Sequence, residues 1–239
     1  MTIREGNVME TNKSEEEVSN TAELSEEILE RASFYRFLSS LFFKEVTDEF
    51  ILNLKKLPKE LCDEEGLLGQ GYRELRKFMV RRGPDPRTDL AAEYAHIFLA
   101  AGVSEGDAGC PFESIYTSKE KLMMQDARDQ VLKIYVEQGV NVDANLHLPE
   151  DHLSFELEFM AIMSERLAEL INNNDTDKAD ENIAVQRAFI QEHLQNWLPS
   201  LEARVTDMAQ FLFYPAIMHI TQGFIDKDAA FLADLVEEE

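Results

Sequence analysis

Leu148-Pro149-Glu150-Asp151-His152-Leu153-Ser154-Phe155-Glu156-Leu157-Glu158-Phe159-Met160 opens an apolar-striped segment in the second half of the chain. Leu153, Leu157, Met160, Ile162, Met163, Leu167 and Leu170 recur at the spacing of one helix face. A proline, acids and a histidine stand at its start. A helix start carries unpaired N–H groups and the positive end of the dipole. Asp151 is expected to be stabilised there as an anion, and His152 to be pushed toward neutrality. His152 and Glu156 are four residues apart and can pair on one face. The residues alone leave three readings open. One is a helix cap with a surface pair, one a metal site built from His147, Asp151, His152 and Glu156, and one a ligand or peptide site. The spacing is not that of H-E-x-x-H, which counts against the metal site.

The same periodicity continues on both sides. Ser25 is placed to cap a first helix with the stripe Ile28, Ala32, Tyr35, Leu38, Leu41 and Phe42. Thr47 caps a second that ends near Pro58. A third covers about 65–81, weakened by Gly66, Gly69 and Gly71. Gly83-Pro84-Asp85-Pro86 is a break, and a fourth helix starts near Pro86. Residues 102–113, with Gly102, Gly106, Gly109 and Pro111, read as a loop. A long helix is predicted from Ser118 to Gln138 and closed by Gly139 in the left-handed conformation. After the opening segment come helices over about 178–196, 200–223 and 226–236, with Pro215 kinking or splitting the second of these. No strand pairs with hairpin turns are apparent. The fold class is all-α, a bundle of about 8–10 helices. The expected organisation is a disordered acidic tail over 1–22, a helical subdomain over 23–138, a hinge over 139–149 and a second helical subdomain over 150–239.

Composition narrows the function. The 239 residues are 44% apolar, as in a globular protein with a sizeable core. The net charge of −24 repels nucleic acid and anionic lipid and favours cationic partners. The first thirty residues hold Arg4 and Lys13 against nine glutamates, a net charge of −7, so −17 belongs to the rest of the chain. No apolar run is long enough for a membrane span, and no secretory signal is seen. Cys62 and Cys110 form no C-x-x-C pair, which fits a reducing cytoplasm.

Three further segments carry polar groups beside apolar ones. In Glu93-Tyr94-Ala95-His96-Ile97-Phe98, Glu93 borders an apolar stripe and needs a donor, for which arginine fits best. Tyr94 and Phe98 share a face, by default a core face. Pro111-Phe112-Glu113-Ser114-Ile115-Tyr116 follows the glycine-rich loop. Ser114 lacks the G-x-S-x-G setting of an activated nucleophile. In Glu192-His193-Leu194-Gln195-Asn196-Trp197-Leu198-Pro199, Trp197 is expected to anchor helix packing, and His193 to sit near a helix C-terminus.

These four segments, in this order, resemble the TorD/DmsD family of cytoplasmic molybdoenzyme maturation chaperones, to which the nitrate reductase assembly chaperones are related. The family pattern looks like E-Y-x-x-[LI]-F, then a glycine-bearing loop, P-x-E-S-x-Y, P-x-D-H-[IL]-x-x-E-L-x-F-M and H-L-x-x-W-x-P. The match covers roughly residues 25–235. The loop after Phe98 departs from it, with Leu99-Ala100-Ala101 ahead of the first glycine, and the acidic tail is not a family feature.

The resemblance implies a non-enzymatic role in anaerobic respiration. Such a chaperone binds the twin-arginine leader, and in some members the body, of a molybdopterin oxidoreductase precursor. It assists cofactor insertion and delays export until maturation. No tightly bound cofactor is expected; transient contact with the molybdopterin cofactor or GTP is part of the family picture. The protein is expected to be cytoplasmic, a monomer or domain-swapped dimer, without nucleic-acid binding or stable membrane insertion. Leader-binding residues would be Asp151, His152 and Glu156 on one side of a cleft. Glu93, Tyr94, Phe98, Pro111, Glu113, Ser114 and Tyr116 would face them, with Trp197, His193 and Pro149 in structural roles. The alternative from another class is a metal-dependent helical hydrolase using the His/Asp/Glu cluster around residue 152.

Overall fold

The stripe Ile28, Ala32, Tyr35, Leu38, Leu41 and Phe42 is buried along the inner face of the first helix, α1 (Val8–Phe43). In this computed structural model the described residues are 8–103 and 108–237. The expected tail over 1–22 lies partly outside them, at 1–7. From Val8 onward the chain is helical, so Ser25 stands inside α1 rather than at its cap. Glutamate is a good helix former, and the acidic segment can extend the helix backwards. Ser25 Oγ instead accepts from Asn172 Nδ2 at 2.8 Å.

Nine further α-helices follow among the described residues, with no strand. They are α2 (Asp48–Asn53), α3 (Gly66–Arg81), α4 (Pro86–Phe98), α5 (Glu113–Thr117), α6 (Asp126–Glu137), α7 (Leu153–Asn172), α8 (Thr176–Phe189), α9 (Leu198–Met208) and α10 (Phe213–Glu237). The cap expected at Thr47 forms, and the fourth helix starts at Pro86 as expected. Thr47 Oγ1 accepts from Phe50 N, and Asp85 Oδ1 accepts from Thr88 N. Gly139 has φ +64° behind α6. α1 lies antiparallel against α7, joined near one end by Ser25–Asn172 and near the other by Ser39 Oγ, which donates to Ser154 O at 2.8 Å. One hydrophobic cluster takes residues from α1 through α6 and from α7 through α10, with Tyr135, Phe159 and Phe189 among its largest buried side chains.

Two helix boundaries differ from expectation. Residues 118–125 are irregular rather than the first turns of α6. Lys121 and Met124 adopt left-handed backbone angles, and Leu122, Met123 and Met124 face solvent. Near the C-terminus the break falls at residues 209–212, ahead of Pro215, which then sits in the first turn of α10. A proline there removes no helical hydrogen bond, so residues 213–237 run on as one helix. Gly71 of α3 and Gly223 of α10 have a packing role: a Cβ on Gly71 would lie 2.6 Å from Ala216 O, and one on Gly223 2.3 Å from Leu68 N. α3 and α10 thus approach to backbone contact.

A buried ion pair ties α1 to α10. The Arg31 guanidinium binds both oxygens of Asp228, and its Nη2 also donates to Gln186 Oε1 of α8 at 2.9 Å. Tyr35 Oη donates to Asp228 Oδ2 at 2.6 Å, and Arg31 lies over the Phe231 ring. Removing one member of such a pair strands a buried charge. Asp228→Ala is therefore expected to lose about 3–5 kcal/mol in urea unfolding. The double change Arg31→Met/Asp228→Leu, which strands nothing, is expected to lose less than the single one.

Candidate functional site

The segment 111–114 and the start of α7 are held side by side. Phe112 and His152 form an antiparallel bridge, Leu153 N donates to Pro111 O at 2.9 Å, and Glu113 N donates to Asp151 O at 3.0 Å. This pairing fixes where each side chain goes. Asp151 Oδ2 accepts from Ser114 N at 2.9 Å, so Asp151 caps α5 from outside. The cap of its own helix α7 is His152, whose Nδ1 accepts from Ser154 N at 3.1 Å and lies 2.7 Å from Ser154 Oγ. Burial pushes the imidazole down to about 4, and the neutral ring is the form that can accept. His152 is thus neutral as expected, but by desolvation. The expected His152–Glu156 pair does not form.

Three carboxylates meet behind this bridge. Asp151 and Glu156 are 0% exposed and Glu113 is 2% exposed. Glu113 is served best: Oε2 lies 2.9 Å from His193 Nδ1, and Oε1 accepts from Asn196 Nδ2 at 3.3 Å. Asp151 Oδ1 and both oxygens of Glu156 accept nothing. Burial holds the Glu156 carboxyl well above the usual range, reinforced by the charges of Glu113 and Asp151. Asp151 is raised too, by burial against the opposing Ser114 bonds. The Trp197 indole N–H opposes the Glu156 shift, yet it donates to His193 O at 2.6 Å. Trp197 is fully buried and stacks on Tyr116, with ring centroids 5.3 Å apart. The Tyr116 hydroxyl is buried without a partner.

His193 reaches Glu113 because residues Ile190–Leu194 form a π-turn rather than the end of an α-helix. Gln195 N donates to Ile190 O at 2.8 Å, one residue wider than α geometry. In front of the cluster, Gln125 N donates to Ser114 Oγ at 3.2 Å, which ties the irregular segment 118–125 to α5. Leu122 and Met124 in that segment are 58% and 62% exposed.

Other expected site residues lie elsewhere. Glu93 is buried, but its donors are the backbone N–H groups of Gln210 and Phe211, at 2.6 and 2.8 Å, and not an arginine. The bend ahead of α10 presents two N–H groups together, which a carboxylate accepts without a second buried charge. Tyr94 and Phe98 belong to the main core: Tyr94 Oη donates to Phe42 O, and both rings pack on Tyr214. Pro149 precedes the bridge, and its O accepts from His152 N at 3.3 Å. Glu150 turns outward to Arg128, which binds both its oxygens. His147 is exposed, with φ +53°. The metal set His147, Asp151, His152 and Glu156 is therefore not assembled. Among the described residues no group of three or more His, Cys, Asp or Glu is arranged to hold a metal ion. Asn196 and Tyr135, which the sequence did not single out, also belong to the site. Tyr135 Oη lies 3.4 Å from Glu150 O, and its hydroxyl is held well above its usual range by burial and by the surrounding acids.

Comparison with known proteins places the chain in a lineage. Residues 65–203 match the family described as nitrate reductase delta subunit. The chain is similar to the chaperone protein TorD of Vibrio cholerae, at 31% identity over 218 residues, 87% of this chain and 94% of that protein. It is likewise similar to the chaperone protein TorD of Aliivibrio salmonicida, at 30% identity over 85% of this chain and 95% of that one. That of Vibrio parahaemolyticus is 28% identical, over 84% and 94%. No helix among the described residues is long and apolar enough to cross a membrane.

The depressed His152 gives a pH signature. The unfolded chain binds a proton on this residue below about 6.5, while the folded chain does so only near 4. Stability from this group is therefore full above 6.5 and is lost as pH falls from 6.5 to 4. His152→Asn keeps an acceptor for Ser154 N. It is expected to flatten that slope in urea midpoints measured across the window, with little change at pH 7.5.

Proposed function

The chain belongs to the TorD chaperone family within the nitrate reductase delta subunit proteins, and from that premise we propose that it binds the twin-arginine leader of its client through the buried acid cluster. As a member of the family it is a molybdoenzyme maturation chaperone and not an enzyme. The finer reading is that it captures a molybdopterin oxidoreductase precursor in the cytoplasm by that leader and holds it from export until the cofactor is in place. The metal-dependent hydrolase has no support, since its ligands are dispersed and the relatives are named chaperones.

The observation that carries the leader reading is the set of unused acceptors on Asp151 and Glu156. Buried carboxylate oxygens without donors are rare, because desolvation is costly when nothing replaces water. A guanidinium supplies planar, paired N–H donors that match such oxygens and stays charged at every relevant pH. Access requires the segment 118–125 to lift from α5. It is tied to α5 by Gln125 N–Ser114 Oγ at one end and by Ser118 N–Ser114 O at the other. The exposed Leu122, Met123 and Met124 then give the apolar part of a leader something to rest on, and methionine adapts to varied apolar shapes. The net charge of −24 speeds encounter with a cationic peptide more than it tightens the complex.

Glu93, Tyr94 and Phe98 do not enter this reading as contacts; they brace α4 against the 209–212 bend and α10. Calorimetric titration with a synthetic twin-arginine leader tests it. Asp151→Asn and a Lys-Lys leader are each expected to weaken binding at least tenfold, the loss of about one charge-assisted hydrogen bond. Met124→Ser is expected to weaken it less. Equal affinity for both peptides and for Asp151→Asn would remove the cluster from leader recognition.

A further inference from the structure

Glu156 has no hydrogen-bond donor, yet it faces acids on three sides. Glu113 projects from α5 and Asp151 from the segment before α7. From α6 comes the Tyr135 hydroxyl, on which Glu156, Asp151, Glu113 and Glu150 all act. The basic side chains nearby are committed: His193 on Glu113, Arg128 on Glu150, while Arg204 of α9 acts on Tyr116. His152 turns its Nδ1 to Ser154. Trp197 donates to His193 O. Both Glu156 oxygens are buried without a donor, and Glu113 is the acid whose charge acts on them most, so a proton is what remains to relieve the buried carboxyl.

We infer that Glu156 holds a proton against the Glu113 carboxylate in the free chaperone, and that the arginine of a bound leader expels it. The inference rests on the leader reading above and adds its regulation. In the free state the proton keeps the pocket from holding three adjacent buried charges. A guanidinium does the same work with its own charge and donors. It cannot take up the proton, having none to gain, so the proton leaves to solvent as the ion pair forms. Binding and proton release are then one equilibrium. Affinity rises with pH by about tenfold per unit for one released proton, as long as Glu156 is protonated in the free protein. The client is captured in a neutral compartment and let go as the site acidifies.

The proton itself is read by infrared spectroscopy of the full chain at neutral pH without peptide. A protonated-carboxyl carbonyl band is expected, with a component lost in Glu156→Gln. An unchanged band would overturn the assignment. The coupling is read by titrating the wild type with the twin-arginine leader in phosphate and in Tris. The heats are expected to differ by the ionisation heats of about one proton per peptide, and Glu156→Gln, which mimics the neutral acid, is expected to show no such difference. Wild-type binding with equal observed heats in both buffers would overturn the coupling and leave leader recognition standing. Persistence of the buffer difference in Glu156→Gln would also overturn it, since the proton would come from another group. If the leader does not bind the wild type at all, leader recognition falls and the coupling with it, while the carbonyl band still reports whether the acids share a proton. The two-buffer comparison needs no variant, so it holds even if Glu156→Gln folds poorly.

Discussion

Much of the site hangs on one carboxylate that never meets water. Asp151 is fully buried, and burial is tolerable only because the backbone around it has been arranged to serve it. The bridge between Phe112 and His152 brings Ser114 N to Oδ2, which starts α5 where it does. α5 then delivers Glu113 to His193 and Asn196, and Tyr116 to Trp197. Through those contacts the α8–α9 corner is fixed against the start of α7. Each link satisfies part of the polar demand created by the one before. The sum falls short at Asp151 Oδ1 and Glu156, and the shortfall is where a ligand has something to offer.

Local signals carried the architecture. Apolar stripes placed α1 and α7 because one-face periodicity is a property of neighbouring residues. The cap at Thr47, the helix start at Pro86 and the left-handed Gly139 were legible for the same reason. What stayed hidden depends on distant partners. Asp151 looked like the cap of its own helix, and only the approach of a segment 37 residues away turns it to Ser114. Glu93 asked for a donor, and the backbone of residues 210 and 211 provides it from 117 residues away. The apolar run Leu122-Met123-Met124 mimicked a helix face but is exposed, because the Ser114–Gln125 bond and two left-handed residues spend those positions on a crossing. The four motif segments were identified together as a family pattern, yet only three converge. The one containing Glu93 serves the core.

The acid balance of the chain has two distinct physical parts. Surface carboxylates keep the molecule soluble and draw cations, and they are screened by salt. Interior carboxylates are few and each has a particular answer. Asp228 is neutralised by Arg31, Glu93 accepts two backbone N–H groups on Oε1, and Glu113 is met by His193 and Asn196. Glu156 alone of these four has no donor on either oxygen.

The π-turn at Ile190–Leu194 has a consequence for how such chains are compared. One residue more than an α-turn requires is packed into it, and a residue in an α-helix rotates the chain by about 100°. Everything after Leu194, including Asn196 and the Trp197 ring, is therefore phased by a count rather than by a side chain. Comparison with a helical chain that has a plain α-turn at this corner would need a one-residue gap there. A graft of this corner onto another helical scaffold would have to carry the supernumerary residue with it, whatever its identity.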